Sequence, residues 1–233
     1  MTLTASDRAY FLLVLSWLLV DLALFLAPAV GIPPGQEIDS SRLLLDVGLA
    51  GGGFLALRAA HRVGFAPLWP AEVPLRTRLA LPAAAGLLLG GVPAAIDLVA
   101  PIGDIHADLP FALLNYYVGA IFSEVMFRLI PVGLLVWALV TYVSGPRWRK
   151  QVFWTVALVV GLYEPIVSWQ VLSDPGGPIG FESATAALAF VSTAYTLNVS
   201  AAYVFWTRGF LAAVVLRGAF YLVWHIAWPL VYY

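Results

Sequence analysis

Seven acidic or basic side chains and one imidazole interrupt stretches of this chain that are otherwise apolar: Asp21, Asp46, Asp97, Glu124, Arg128, Glu164, Arg217 and His225. A charge at the centre of a bilayer costs about 2.5–3.5 kcal/mol even on the lenient translocon scale, so such residues usually pair or line a functional cavity. Carboxylates and the imidazole are candidate general bases; acids and arginines together can also line a path for a charged solute. Glu124 and Arg128 are four residues apart. They therefore share a helical face with the acid on the N-terminal side, the better order for an intrahelical pair. Glu164 precedes Pro165 and reads either as a site acid or as a water-facing residue at a helix end. His225 lies between Trp224 and Trp228 and reads either as a site residue or as part of an aromatic belt. Asp21, Asp46 and Asp97 read as protonated or interfacial helix-packing groups.

The surroundings of these residues are those of an all-α, polytopic membrane helix bundle. Of 233 residues, 62% are hydrophobic and only 11% are charged, and the mean hydropathy is +0.91. A soluble domain carries about a quarter charged residues. Apolar runs at 9–30, 43–60, 79–102, 109–143, 151–169, 184–206 and 209–228 are each long enough for a hydrocarbon core about 30 Å thick. The fourth run is too long for one upright crossing, and is either strongly tilted or begins as an interfacial segment near Asp108-Leu109-Pro110. Helix breakers mark the connectors: Gly31 to Gly35, Pro67 to Pro74, Ser144-Gly145-Pro146 and Asp174 to Pro178. Ala27-Pro28-Ala29 imitates a signal-peptide cleavage site, but the apolar run before it is long, contains Asp21 and is preceded by one basic residue, Arg8; a retained first helix is expected.

Lys and Arg set the expected orientation. Arg8, Arg58, Arg62, Arg76, Arg78, Arg147, Arg149, Lys150 and Arg208 fall on one side of an alternating seven-span arrangement, and Arg42 on the other. The expectation is a plasma or inner membrane protein with its N-terminus in the cytoplasm and its C-terminus outside. The abundance of Ala, Gly, Leu, Val and Pro is that of a GC-rich prokaryotic genome. A net charge of −1 argues against a nucleic-acid partner. The expected partners are the lipid bilayer and a peptide or membrane protein. There is no Cys, His225 is the histidine within a span, and His61 and His106 fall in or near loops. Zinc favours His and Cys ligands, so neither a metal site nor a cofactor is expected.

The second half of the chain resembles the CAAX protease and bacteriocin-processing family of intramembrane peptidases, which includes the type II CAAX prenyl endopeptidases. The family's Glu-Glu-x-x-x-Arg motif is similar to Ser123-Glu124-Val125-Met126-Phe127-Arg128. Its Phe-x-x-x-His motif, often Phe-Gly-Leu-x-His-x-Pro, is similar to Val160-Gly161-Leu162-Tyr163-Glu164-Pro165. Its third segment, Gly-x-x-Ala-Ala-x-x-x-His-x-x-x-Asn/Asp, is similar to Gly209 to Arg217 with Tyr221 in the last place. The resemblance implies a helical core over 109–233, preceded by a segment of about three spans over 1–108. It also implies an endopeptidase site in which the first Glu activates a water with the help of the first His, while the second His and the Asn hold that water and the oxyanion. Those places are occupied here by Ser123, Glu164, Arg217 and Tyr221; Glu124 and Arg128 match the motif. Two imidazoles thus give way to one acid and one base. If the places still face each other, Glu164 and Arg217 neutralise each other, and a Glu held by an Arg is a poor base.

Three functions are open at this level. One is a degenerate family member with weak or no peptidase activity and a scaffold or binding role. Another is an active peptidase with a rearranged site, using Glu164 or Glu124 as base and His225 recruited two helical turns after Arg217. The third is a small transporter or channel lined by buried Asp, Glu and Arg residues.

Overall fold

A computed structural model describes residues 3–30, 39–69, 74–100, 105–172 and 184–232. Every regular element among the described residues is helical, and seven helical runs are long and apolar enough to cross a membrane. The chain is a multi-pass membrane protein. The connectors read from Gly31 to Gly35 and from Asp174 to Pro178 lie outside the described residues, as does most of the loop at 170–183.

The first run is α1 (Ala5–Leu26), opened by a capping box in which Thr4 and Asp7 exchange side-chain and backbone hydrogen bonds. Asp39 caps α2 (Ser40–Arg62) by accepting from the Arg42 backbone N–H. The third run is α3 (Leu75–Asp97), which keeps Pro82 and Pro93 within its length. The fourth is an unbroken helical run of 34 residues, Phe111–Ser144, which begins just after Asp108-Leu109-Pro110. It comprises α4 (Phe111–Glu124), a π-helical turn at Val125–Leu129, α5 (Ile130–Leu139) and a second π-helical turn at Val140–Ser144. At about 1.5 Å per residue it is about 50 Å long. The fifth run breaks between α6 (Arg149–Gly161) and α7 (Tyr163–Leu172). Pro165 explains the break: proline disfavours helical geometry at the residue before it and lacks an N–H, which is tolerated in a first turn. The chain then forms α8 (Ala184–Arg208), α9 (Phe210–Tyr221), a third π-helical turn at Leu222–Ala227, and α10 (Trp228–Tyr232).

Exposed large apolar side chains, such as Leu12, Leu44, Leu88, Val143 and Leu230, cover the outside of the bundle. One continuous core lies inside and draws on both halves of the chain, with Trp17 and Leu57 meeting Ile121, Phe205, Leu216 and Trp224. The tightest helix contact joins α3 to α9. A Cβ at Gly86 would stand 2.1 Å from the Leu216 carbonyl oxygen, and one at Gly90 would stand 2.6 Å from that of Phe220. This small-residue spacing lets two backbones approach inside a membrane, where packing replaces the hydrophobic effect as the driving force. It seats a helix of the first segment directly against the helix that carries Arg217.

Candidate functional site

The break before Pro165 places Glu164 in the first turn of α7, where it faces inward to α9 and to the π-helical turn after α4. From there the site assembles on four helical runs. Arg217 of α9 donates from Nη1 to Glu164 Oε1 (2.9 Å) and from Nη2 to Glu164 Oε2 (3.1 Å). It also donates from Nε to Glu124 Oε1 (2.6 Å) and from Nη1 to the Tyr221 hydroxyl (3.2 Å). Arg128, in the π-helical turn, donates to Glu164 Oε2 from Nη1 and Nη2, both at 3.1 Å. Two guanidiniums thus face two carboxylates, and the cluster is neutral as a whole. Arg128, Arg217 and Glu124 are buried; the Glu164 side chain keeps 21% of its surface exposed.

The intrahelical pair expected of Glu124 and Arg128 is present as an ion pair, while the hydrogen bonds of both residues run to other helices. Their closest approach, Arg128 Nε to Glu124 Oε1, is 3.7 Å and makes no hydrogen bond. Glu124 instead hydrogen-bonds Arg217 on a different helix, and Arg128 hydrogen-bonds Glu164. By crossing between helices, the two fork-shaped guanidiniums reach both carboxylates and the Asn198 amide. Among the described residues Glu124 Oε2 and Arg128 Nε are buried without a hydrogen-bond partner.

Asn198, which is not among the residues singled out by charge or resemblance, completes the cluster. Its Oδ1 accepts from Arg217 Nη2 (2.9 Å) and from Arg128 Nη2, and its Nδ2 donates to the Gly161 carbonyl (3.0 Å). One amide therefore ties α8 to both arginines and to the end of α6. The signal available in the sequence was a lone Asn in the middle of a 25-residue apolar helix.

The remaining expected site residues fall nearby in different ways. Ser123 is buried and makes no hydrogen bond to the cluster among the described residues. Tyr221 accepts from Arg217 and lines a cavity of about 180 Å³ together with Glu164, Thr193, Arg217, Trp224 and His225. His225, in the third π-helical turn, meets that cavity but is committed elsewhere. Its Nδ1 is 3.1 Å from His106 Nδ1, and its ring stacks on Tyr116 at 4.4 Å. The loop residue His106 is thereby brought onto the last span. Backbone irregularities of the π-helical kind are frequent at functional sites; the third π-helical turn lines this cavity through Trp224 and His225, and the first carries Arg128.

The three N-terminal aspartates lie outside the cluster. Trp17 Nε1 donates to Asp21 (2.5 Å), Arg42 Nε to both oxygens of Asp46 (3.1 and 3.2 Å), and Trp228 Nε1 to Asp97 (2.8 Å). Each is a buried helix-packing acid with a hydrogen-bond donor at hand.

No family model, no curated protein and no solved structure matches the chain.

Proposed function

We propose that this chain is a divergent member of the CAAX protease and bacteriocin-processing family whose catalytic places hold a neutral structural lock. In this reading it is a non-proteolytic membrane protein that scaffolds or binds a peptide or membrane-protein partner. One observation carries the proposal: positions 164 and 217, which the resemblance gives to two histidines around a water, hold an acid and a base that bond each other at 2.9 Å. Glu164, the acid at the cavity, accepts guanidinium N–H bonds on both carboxylate oxygens. A base must reach the proton it abstracts, and these donors occupy the positions from which Glu164 would bind a water. Glu124 keeps an oxygen without a partner among the described residues, but it does not line the cavity. Nine Lys or Arg against one support a cytoplasmic N-terminus and an outer C-terminus in a plasma or inner membrane.

The test is a cleavage assay on purified protein in liposomes, with a library of membrane-embedded and soluble peptides. The expected outcome is no cleavage by the wild type and none by Glu164→Gln. Turnover that disappears in Glu164→Gln would overturn the proposal in favour of a working peptidase. Reporter fusions at loops 61–78 and 144–150 and at the C-terminus check the orientation; a cytoplasmic C-terminus would break it.

A further inference from the structure

Arg42, Arg58, Arg128 and Arg217 each contact a carboxylate. Arg78 and Arg208 do not: among the described residues, neither has an acid within ion-pair distance. Arg78 lies near the start of α3 and is buried. Its guanidinium holds the carbonyl oxygens of Pro67 (2.8 Å), Leu68 (3.4 Å) and Arg208. Arg208 is the last residue of α8 and donates from Nη1 to the Thr77 carbonyl (3.3 Å). The turn that brings these elements together depends on Gly209, whose φ of +91° disfavours any L side chain and whose Cβ would stand 2.4 Å from the Pro67 oxygen. Carbonyl dipoles orient the two cations without neutralising them. Two full positive charges are therefore held side by side at one edge of the membrane-spanning region.

Both arginines line the mouth of a groove of about 680 Å³ between α3, α6, α8 and α9, within the usual size range of small-molecule sites. Away from the arginines its walls are mostly apolar, with the hydroxyls of Ser200, Tyr203 and Thr207 among them. Leu81 and Ala85, four residues apart and hence on one face of α3, oppose Val204 of α8 and Leu216 of α9. Trp154 and Tyr203, stacked at 5.7 Å and 16°, close one side. A cationic mouth at a helix end above an apolar trough matches a molecule with an anionic head and a hydrocarbon tail.

We propose that this groove binds one anionic phospholipid, its phosphate against Arg78 and Arg208 and an acyl chain along Leu81, Ala85 and Val204. A guanidinium takes phosphate oxygens in parallel N–H bonds, and Arg208 commits a single described N–H to the protein. Basic pockets between membrane helices select anionic head groups. A zwitterionic lipid would bring its own cation against the two guanidiniums, so the groove discriminates against it. The site is separate from the buried Glu164 cluster and stands whether or not that cluster is catalytically silent.

Native mass spectrometry of the full chain in detergent, titrated with phosphatidylglycerol or phosphatidylcholine, tests it. One phosphatidylglycerol should be retained at least tenfold more tightly than phosphatidylcholine. Arg208→Gln should lower that affinity about tenfold, the loss of one charge-assisted hydrogen bond. Ala85→Trp, which fills the trough and leaves both arginines in place, should abolish the adduct, while Arg147→Gln in the exposed loop should leave it unchanged. Thermal unfolding with phosphatidylglycerol and with inorganic phosphate separates lipid from free anion: the lipid should raise the midpoint by several degrees and phosphate should not. Equal retention of the two lipids, an adduct that survives Ala85→Trp, or full stabilisation by phosphate alone would each overturn the proposal.

Discussion

Buried charge is handled in two ways in this molecule. Asp21 on α1 and Asp46 on α2 are each met by a donor four residues away on their own helix, Trp17 and Arg42. Around α7 and α9, donors and acceptors belong to different helices, and two arginines, two glutamates and one asparagine share one network. A local contact survives a small shift of its helix, because both partners move together. The network does not, since every bond in it depends on how four helical runs are rotated against one another. These two pairs therefore lie within single helices, whereas the central network specifies the bundle; Asp7 with Arg58 and Asp97 with Trp228 stand between, each joining two helices on its own.

The largest expected effect tests that contrast directly. Glu164→Gln and Arg217→Met should each cost about 3–5 kcal/mol, because each strands buried charge on its former partners. The double variant should lose less than the sum of the two, as coupled neighbours do; thermal unfolding in detergent of all four proteins reads the cycle. Strictly additive losses would mean that the pair is not a unit, and the contrast would fail. Asn198→Ala should cost about 1–3 kcal/mol, since it leaves donors on both arginines and the Gly161 carbonyl without their amide. A loss confined to α8, with unchanged protection of α6 in hydrogen exchange, would show that the amide does not bridge helices.

On the local side the effects should be smaller. Asp21→Asn keeps an oxygen that can accept from Trp17, so its cost should be about 1 kcal/mol or less. A loss in unfolding free energy equal to that of Glu164→Gln would erase the distinction between the two regions. The smallest effect concerns Asp39, outside the spans. The Arg42 backbone N–H, and then the Ser41 hydroxyl, hold its carboxyl below the usual range. A depressed folded-state pKa contributes stability above the unfolded value of about 3.9, and that contribution disappears as pH falls through the lower folded value. The wild type should therefore unfold at a slightly higher temperature than Asp39→Asn at neutral pH. The gap should close below about pH 4; a gap that persists there would remove the ionised cap from the account.

The two regions also differ in how far they could be read before any coordinates. Trp17 with Asp21 and Arg42 with Asp46 have the four-residue spacing of one helix face, so their contacts follow from the order of residues. Glu164 and Arg217 lie 53 residues apart and bond at 2.9 Å, a contact that no spacing within either segment announces. The four-residue spacing also gives the ion pair of Glu124 and Arg128, but not their hydrogen bonds, which run across helices. Asn198 and His106 were invisible as site residues, because nothing in their own segments indicates which helix they meet.

What the sequence alone determined is the set of spans, their breaks and the presence of charge within them. Hydropathy, proline and helix caps act over a few residues, and a bilayer penalises every exposed backbone group enough to make helices obligatory. What only the tertiary structure decided is the identity of each partner. That choice depends on the rotation and closeness of helices far apart in the chain. Contacts such as Gly86 and Gly90 against the Leu216 and Phe220 carbonyls set those quantities, and these glycines carry no charge to announce which arginine they position.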